Sequence, residues 1–301
     1  MAEYKCGYVG IVGRANAGKS TLINTLVGEK VAIISPKPQT TRNNILGVLT
    51  KENYQLVFVD TPGIHKSKNS LDKYMMKNVR SCIGGSDVLL YLLDGTKSLS
   101  DEEFDYILKL TKTNENVIIL ITKIDLVKKD KVFEKIAVLT EIKEIKDIIP
   151  ISSIKDINIK PLIDAVLKIL PSSETKSFLY AEDEYTDKSI SFMVAEMVRE
   201  SALKLYGDEI PHGIAPKVVR FEEKDEIVYI DIDIVCERDT HKSIILGKQG
   251  LKIKELGKMS RIDMEKLLSK KVMLKLFVKV EKDWRNNMNS LTEFGYNNKF
   301  D

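Results

Sequence analysis

No apolar run in this sequence is long enough to cross a bilayer: the longest unbroken aliphatic runs, such as 117–121 (VIILI), fall far short of the about 20 residues a spanning helix needs. Cysteine is nearly absent. Cys6, Cys82 and Cys236 are widely scattered and form no C-x-x-C pair, which argues against disulfides and a cysteine-rich zinc site and fits a reducing compartment. The three histidines, His65, His212 and His241, are too dispersed for a metal cluster, and the single tryptophan, Trp284, reads as a core anchor. The start of the chain carries no basic and apolar leader, so a cytoplasmic location is expected. Net charge is small as well, at +3, and a balance so close to zero does not by itself demand nucleic acid or membrane.

What is present is apolar content, 43% of 301 residues, enough for two domains with a core each. The most informative stretch is 13–21, GRANAGKST, between an apolar run at 9–12 and a helical segment at 19–26. Gly13, Gly18, Lys19 and Ser20 satisfy G-x-x-x-x-G-K-[ST], and strand, loop and helix in that order are the setting a phosphate-binding loop requires. Together with Arg14, Ala15, Asn16, Ala17 and Thr21 they form a cradle. Its glycines let N–H groups turn inward around an anion, and the helix presents its positive end. Lys19 adds charge for the outer phosphates, while the Ser20 hydroxyl suits a Mg²⁺ position.

Further apolar runs at 56–59, 88–93, 117–121 and 148–151 alternate with helical segments at 71–82, 101–110, 132–145 and 159–170. Continuously apolar strands alternating with helices predict a mostly parallel sheet covered on both faces, with its ligand at the carboxyl ends of the strands. The remaining motifs fall at such ends. Asp60-Thr61-Pro62-Gly63 offers a carboxylate for Mg²⁺ and a glycine N–H for a terminal phosphate. Thr122-Lys123-Ile124-Asp125 offers a carboxylate that accepts two hydrogen bonds from guanine and none from adenine, with the Lys123 stem over the ring. Ser152 and Ser153 follow the last run, where a backbone N–H could reach the guanine oxygen. The polar segment 36–43, PKPQTTRN, is long enough to reach over the phosphates with a threonine as a metal ligand.

Across residues 5–170 the order and spacing of these stretches resemble the P-loop GTPase superfamily, and GRANAGKST with QTTRN resembles its translation-factor-related branch. The resemblance implies GTP and GDP as ligands, and hydrolysis with Lys19, Thr41, Gly63 and Asn16 as catalytic groups. Ser20, Thr41 and Asp60 are the implied Mg²⁺ set, with Thr41 chosen over Thr40 because it directly precedes Arg42. Asn16 matches an asparagine that in relatives binds a monovalent cation such as K⁺. Four positions depart from the usual wording: Ala15 and Ala17 replace proline and valine, Thr122 replaces the asparagine of NKxD, and Ser153 replaces alanine. Ile64 stands where Ras-like proteins carry the glutamine that positions water, which implies slow intrinsic hydrolysis.

Proline and serine at 171–176 mark the end of this domain, giving expected boundaries of 1–172 for the GTP-binding domain, 173–187 for a linker and 188–301 for a second domain. Residues 178–241 carry sixteen acidic against seven basic side chains, and 242–285 five against thirteen, so a near-neutral total hides a basic lobe. Helical periodicity at 191–206 is followed by strands at 218–221 and 227–235, then by Gly247-Lys248-Gln249-Gly250 between two helical segments, then by a strand at 272–280. A Gly-x-x-Gly turn with Lys242, Lys248, Lys252, Lys254 and Lys258 around it suits the sugar-phosphate of a single strand, with an apolar groove for its bases.

This half resembles a type II KH domain, an α+β fold, and the ending from Phe277 through Tyr296 resembles ribosome-assembly GTPases of the same branch. The resemblance implies binding of the 3′ end of small-subunit (16S) ribosomal RNA during small-subunit assembly, with Gly247, Lys248, Gln249, Gly250, Lys252 and Lys254 as contacts; a monomer is expected. Two other readings stand beside it. A small-molecule kinase shares the phosphate loop but does not explain the TKID stretch. A membrane-associated GTP-dependent signalling switch would use the lysines on anionic lipid at the inner face of the cell membrane, and relatives of this type are reported there.

Overall fold

The computed structural model describes residues 3–37, 39–207 and 209–296, and the chain divides into two compact units: Met1–Lys66 with Met75–Asp187, and Ser67–Tyr74 with Lys188–Asp301. In chain order the first unit contains β1 (Tyr4–Gly13), α1 (Lys19–Val27), β2 (Ile45–Lys51), β3 (Tyr54–Asp60), α2 (Ser70–Gly85, whose first residues group with the second unit), β4 (Val88–Asp94), α3 (Asp101–Thr113), β5 (Val117–Thr122), α4 (Lys129–Leu139), β6 (Asp147–Pro150), α5 (Ile159–Ile169) and β7 (Ser172–Ser173).

Its sheet runs β2-β3-β1-β4-β5-β6. Pairing is parallel from β3 through β6, antiparallel between β2 and β3, and antiparallel where β7 meets β1 at Tyr4 and Lys5. Every residue of β4 and β5 is buried, as expected of strands covered on both faces. The parallel strands end together at Gly13, Asp60, Asp94 and Thr122, so the polar residues that follow them share one edge.

Two features differ from the sequence reading. Helix α4 begins at Lys129 and stops at Leu139 rather than running to 145; residues 140–145 form turns, with Thr140 N–H bonded to Ile136 O, and Ile142 is buried from a turn rather than a helix. Residues 174–187 do not hang free as a linker. Gln55, fully buried on β3, accepts from the N–H groups of Leu179 (2.8 Å) and Tyr180 (3.0 Å) and donates to Tyr180 O (2.9 Å). Val48 N–H donates to Tyr185 O and Leu46 N–H to the Asp187 carboxylate on β2, the end strand of the sheet. The segment thereby satisfies backbone groups that an edge strand would leave open.

The second unit contains α6 (Ile190–Leu205), β8 (Ile214–Glu223), β9 (Ile227–Cys236), α7 (Asp239–Leu246), α8 (Leu251–Leu268), β10 (Lys271–Val280) and α9 (Met288–Glu293). The sheet order is β10-β9-β8, with β10 parallel and β8 antiparallel to β9. Alternation on β9 puts Val228, Ile230, Ile232 and Ile234 on the core face, packed with Val194, Val198, Ile245, Leu256 and Met264 from the helices. The order α-β-β-α-α-β is that of a type II KH domain.

Trp284 closes the carboxyl end of this unit. Fully buried, it lies edge-on to Phe294 and stacked with Tyr296, and its indole N–H donates to Gly213 O at 3.1 Å. Trp284→Ala should destabilise the unit by about 3–5 kcal/mol, while Trp284→Phe, which keeps a ring but leaves Gly213 O without its donor, should cost about 1–3 kcal/mol. Guanidinium titrations followed by far-UV circular dichroism check this; unchanged midpoints for both variants would contradict the anchor role.

Candidate functional site

Where the strands of the first unit end, a cavity of about 550 Å³ opens between the phosphate loop and the segment 34–41. Ala15, Asn16, Gly18, Lys19, Ser20 and Thr21 form one wall, Thr41 and Gly63 another, and Lys123 a third. Lys19 is buried, and its ammonium donates to the carbonyls of Gly13 (3.1 Å) and Arg14 (3.0 Å). Burial pushes its pKa down to about 8, against the opposing pull of Asp60. Asp60 is also fully buried, and burial raises its pKa although Lys19, Ser20, Thr41 and its neighbour's N–H all favour the charged form.

Three oxygens from distant parts of the chain meet at Asp60. Ser20 Oγ donates to Asp60 Oδ2 at 2.8 Å, Thr41 Oγ1 donates to the same oxygen at 3.0 Å, and the two hydroxyls are 2.9 Å apart. The other carboxylate oxygen, Oδ1, is buried without a hydrogen-bond partner. An orphaned anionic oxygen beside two hydroxyls is a hard, all-oxygen donor set that fits Mg²⁺. Thr40 lines the cavity too, but its hydroxyl donates to Lys37 O at 2.8 Å rather than to Asp60.

Backbone contacts bind the loop after β3 to the phosphate loop. Ile64 N–H donates to Gly13 O, Thr61 Oγ1 donates to Ile11 O at 2.8 Å, and Pro62 is buried with them. Gly63 must be glycine here, since a Cβ would stand 2.9 Å from Ala15 Cα and 3.0 Å from Ala15 N. Asn16, in the left-handed region at φ 64°, donates from its side-chain amide to Pro36 O at 2.6 Å. Ala17 is buried and, with Arg14, lines an adjoining cavity of about 430 Å³.

At the far end, Thr122 Oγ1 donates to Ala17 O at 2.8 Å, so the threonine at the usual asparagine position still ties this motif to the phosphate loop. Lys123 bonds Asn16 O at 2.6 Å and pairs with Asp94 at 2.7 Å. Burial alone would raise the Asp94 pKa, but the hydrogen bonds from Lys123 and Thr96 hold it below the usual carboxylate range. Ser152 Oγ donates to Asp125 Oδ1 at 2.6 Å, and Ser153 O accepts from Thr25 Oγ1 at 3.2 Å. Asp125 is exposed, and neither it nor Ser152 and Ser153 line the main cavity. Sequence reasoning missed Asp94 and Gln39, which do. Asp94 was legible as a carboxylate ending an apolar strand; nothing distinguished Gln39 within its loop.

In the second unit, Gly247 to Gly250 turn between α7 and α8. A Cβ on Gly247 would lie 2.6 Å from Lys252 Cγ, so the turn closes tightly against the first residues of α8. Gln249 and Gly250 take left-handed conformations, φ 53° and 73°. Alongside lies a cavity of about 400 Å³ whose apolar part is Ile253, Leu274 and Leu276 and whose cationic part is Lys254, Lys258 and Arg261. Lys252 instead reaches over the Tyr206 ring, 5.9 Å from its centroid. An apolar groove with a basic border suits stacked bases flanked by phosphates.

Comparison with known proteins follows this division. Residues 8–123 match the model of the 50S ribosome-binding GTPase family and residues 209–285 that of the KH domain. GTPase Era of Clostridium botulinum strain Eklund 17B is 42% identical over 298 residues, covering 98% of this chain and all of that protein; its counterpart in strain Hall is 42% identical over 296 residues, 98% of this chain and 99% of that one. Among solved structures, Era in complex with MgGDPNP and nucleotides 1506–1542 of 16S ribosomal RNA superimposes with a TM-score of 0.91 at 38% identity, over 97% of this chain and 99% of that one. A variant of Aquifex aeolicus Era bound to GDP·AlF4⁻ gives the same figures. Likeness at that level, sustained over both units and nearly the full length of each relative, makes this chain a member of the Era family of GTPases.

Proposed function

We propose that this GTPase hydrolyses GTP in the cradle of residues 13–21 and binds the 3′ region of small-subunit ribosomal RNA through its second unit, acting in assembly of the small ribosomal subunit. Residues 1–172 are the nucleotide-binding domain and 188–301 the RNA-binding domain. The observation that carries the first half is the meeting of Ser20, Thr41 and Asp60 around an unpartnered carboxylate oxygen.

Ser20, Thr41 and Asp60 are the residues that would hold Mg²⁺, which supplies positive charge against the phosphates. The Lys19 ammonium, kept at the loop by the Gly13 and Arg14 carbonyls, adds a second charge as the bond to the leaving diphosphate breaks. Gly63 brings its N–H close to the phosphate loop because no side chain intervenes. Asn16 is the chain's candidate for contact with K⁺. Asp125 reads guanine, held in orientation by Ser152. The predicted guanine preference follows from that carboxylate: Asp125→Asn should weaken GTP binding and shift preference to xanthine nucleotides, whose ring carries the reversed hydrogen-bonding group. A titration with both nucleotides checks it, and an unchanged guanine preference would contradict the role.

For RNA, the groove beside Gly247–Gly250 with Lys248, Gln249, Lys254, Lys258 and Arg261 supports recognition of a single strand, and the relative bound to 16S nucleotides supports its identity. Lysine-rich surface also suits anionic lipid; among the described residues no helix is long and apolar enough to cross a membrane, so such contact would be peripheral to a cytoplasmic protein. A Cβ on Gly250 would meet only Ile253 Cγ2 at 4.0 Å, an ordinary contact, and its left-handed φ is one that Asp tolerates better than most residues. Gly250→Asp should therefore fold, place a negative charge in the turn, and weaken RNA retention in a filter assay at least about tenfold, with GTP affinity unchanged. Intact RNA retention would overturn the assignment.

A further inference from the structure

Resting on the GTPase reading above, the question left open is what orients the attacking water, since the residue after Gly63 is Ile64, which has no polar side chain. A carboxamide reaches the cavity from the other side. Gln39, two residues before Thr41, lines the nucleotide cavity and is held in the left-handed region at φ 56°, a conformation that a non-glycine residue adopts at some cost. The carboxamide of the phosphate-loop wall, Asn16, donates to Pro36 O.

Gln39 is gripped from the loop after β3. His65 Nδ1 lies 2.7 Å from Gly63 O, and His65 Nε2 lies 3.4 Å from Gln39 Nε2. A carbonyl only accepts, so Nδ1 donates to Gly63 O; in the tautomer with its proton on Nδ1, Nε2 accepts from the Gln39 amide N–H. One imidazole thus connects the peptide carbonyl of Gly63 to the carboxamide of Gln39, and Gln39 is joined through one intervening residue to the metal-set hydroxyl of Thr41. The same chain of atoms touches both loops that border the phosphates.

We propose that Gln39 orients the attacking water, with His65 as its positioning residue. The Gln39 carboxamide accepts from the water at the face of the γ-phosphate opposite the leaving group, and the His65 ring fixes the plane of that carboxamide. The water oxygen forms the new bond to phosphorus as the bond to the β-phosphate oxygen breaks. The proton leaves to the phosphate itself, so no side-chain base is needed. The chemistry that Ras-like proteins perform from the position of Ile64 is here performed from the loop before Thr41.

Single-turnover hydrolysis and fluorescent-nucleotide binding on the full chain test this. Gln39→Ala should slow the chemical step roughly ten- to a hundred-fold with unchanged affinity for GTP and GDP. His65→Ala should do the same, and His65→Gln, which restores an acceptor, should recover much of the rate. Because the two act as a unit, the double variant should be no slower than the single ones. In ¹⁵N spectra the His65 ring should carry its proton on Nδ1 in the wild type, and its Nε2 signal should shift in Gln39→Ala. Wild-type rates from Gln39→Ala, additive losses in the double variant, or a parallel loss of nucleotide affinity would overturn the proposal. Absence of hydrolysis by the wild-type chain would instead overturn the GTPase reading.

Discussion

A buried carboxylate and a buried ammonium that feel each other's charge set the terms for the nucleotide-binding unit. Asp60 and Lys19 are both withdrawn from water, and burial works against the charge of each while each supports the other. The pair alone does not satisfy the site: Lys19 is shared with loop carbonyls, and one oxygen of Asp60 has no partner. A fold that keeps such groups dry stores an unmet demand for both an anion and a cation, and a magnesium-bound polyphosphate supplies the two together.

The sheet explains why these groups coincide. Four neighbouring parallel strands end at one edge, so residues 60, 94 and 122, far apart in sequence, stand beside the phosphate loop that follows β1. Hydrogen bonds then tie the loops to one another: Ile64 to Gly13, Thr122 to Ala17, Lys123 to Asn16, Asn16 to Pro36. A shift in any one loop is therefore felt by its neighbours.

Much of this was legible from residue order. The phosphate loop, the DTPG turn and the TKID stretch each follow an apolar run, and period-two alternation in 227–235 marks a strand of the second unit. Strand β2 was not read because Gly47 interrupts its apolar run; the structure shows why it is there, since a Cβ would stand 2.7 Å from Ile23 Cγ1 on α1. Helix α4 was read too long because Ile142 and Ile145 continue a helical spacing although the chain turns after Leu139. The docking of residues 174–187 depends on one buried amide, Gln55, whose partners lie more than a hundred residues away, a separation that local patterns do not register. Thr41 is separable from Thr40 in the sequence only by likeness to relatives; in the structure the Thr41 hydroxyl bonds Asp60 and that of Thr40 bonds Lys37 O.

The most direct measurement of the central claim is the affinity of the GTP-bound chain for Mg²⁺, compared between wild type and Asp60→Asn. Loss of the unpartnered charged oxygen should weaken the metal at least about tenfold, with GTP affinity in the absence of metal no weaker than in the wild type. Equal Mg²⁺ affinity in the two proteins would mean that the buried carboxylate is not what the site is built around.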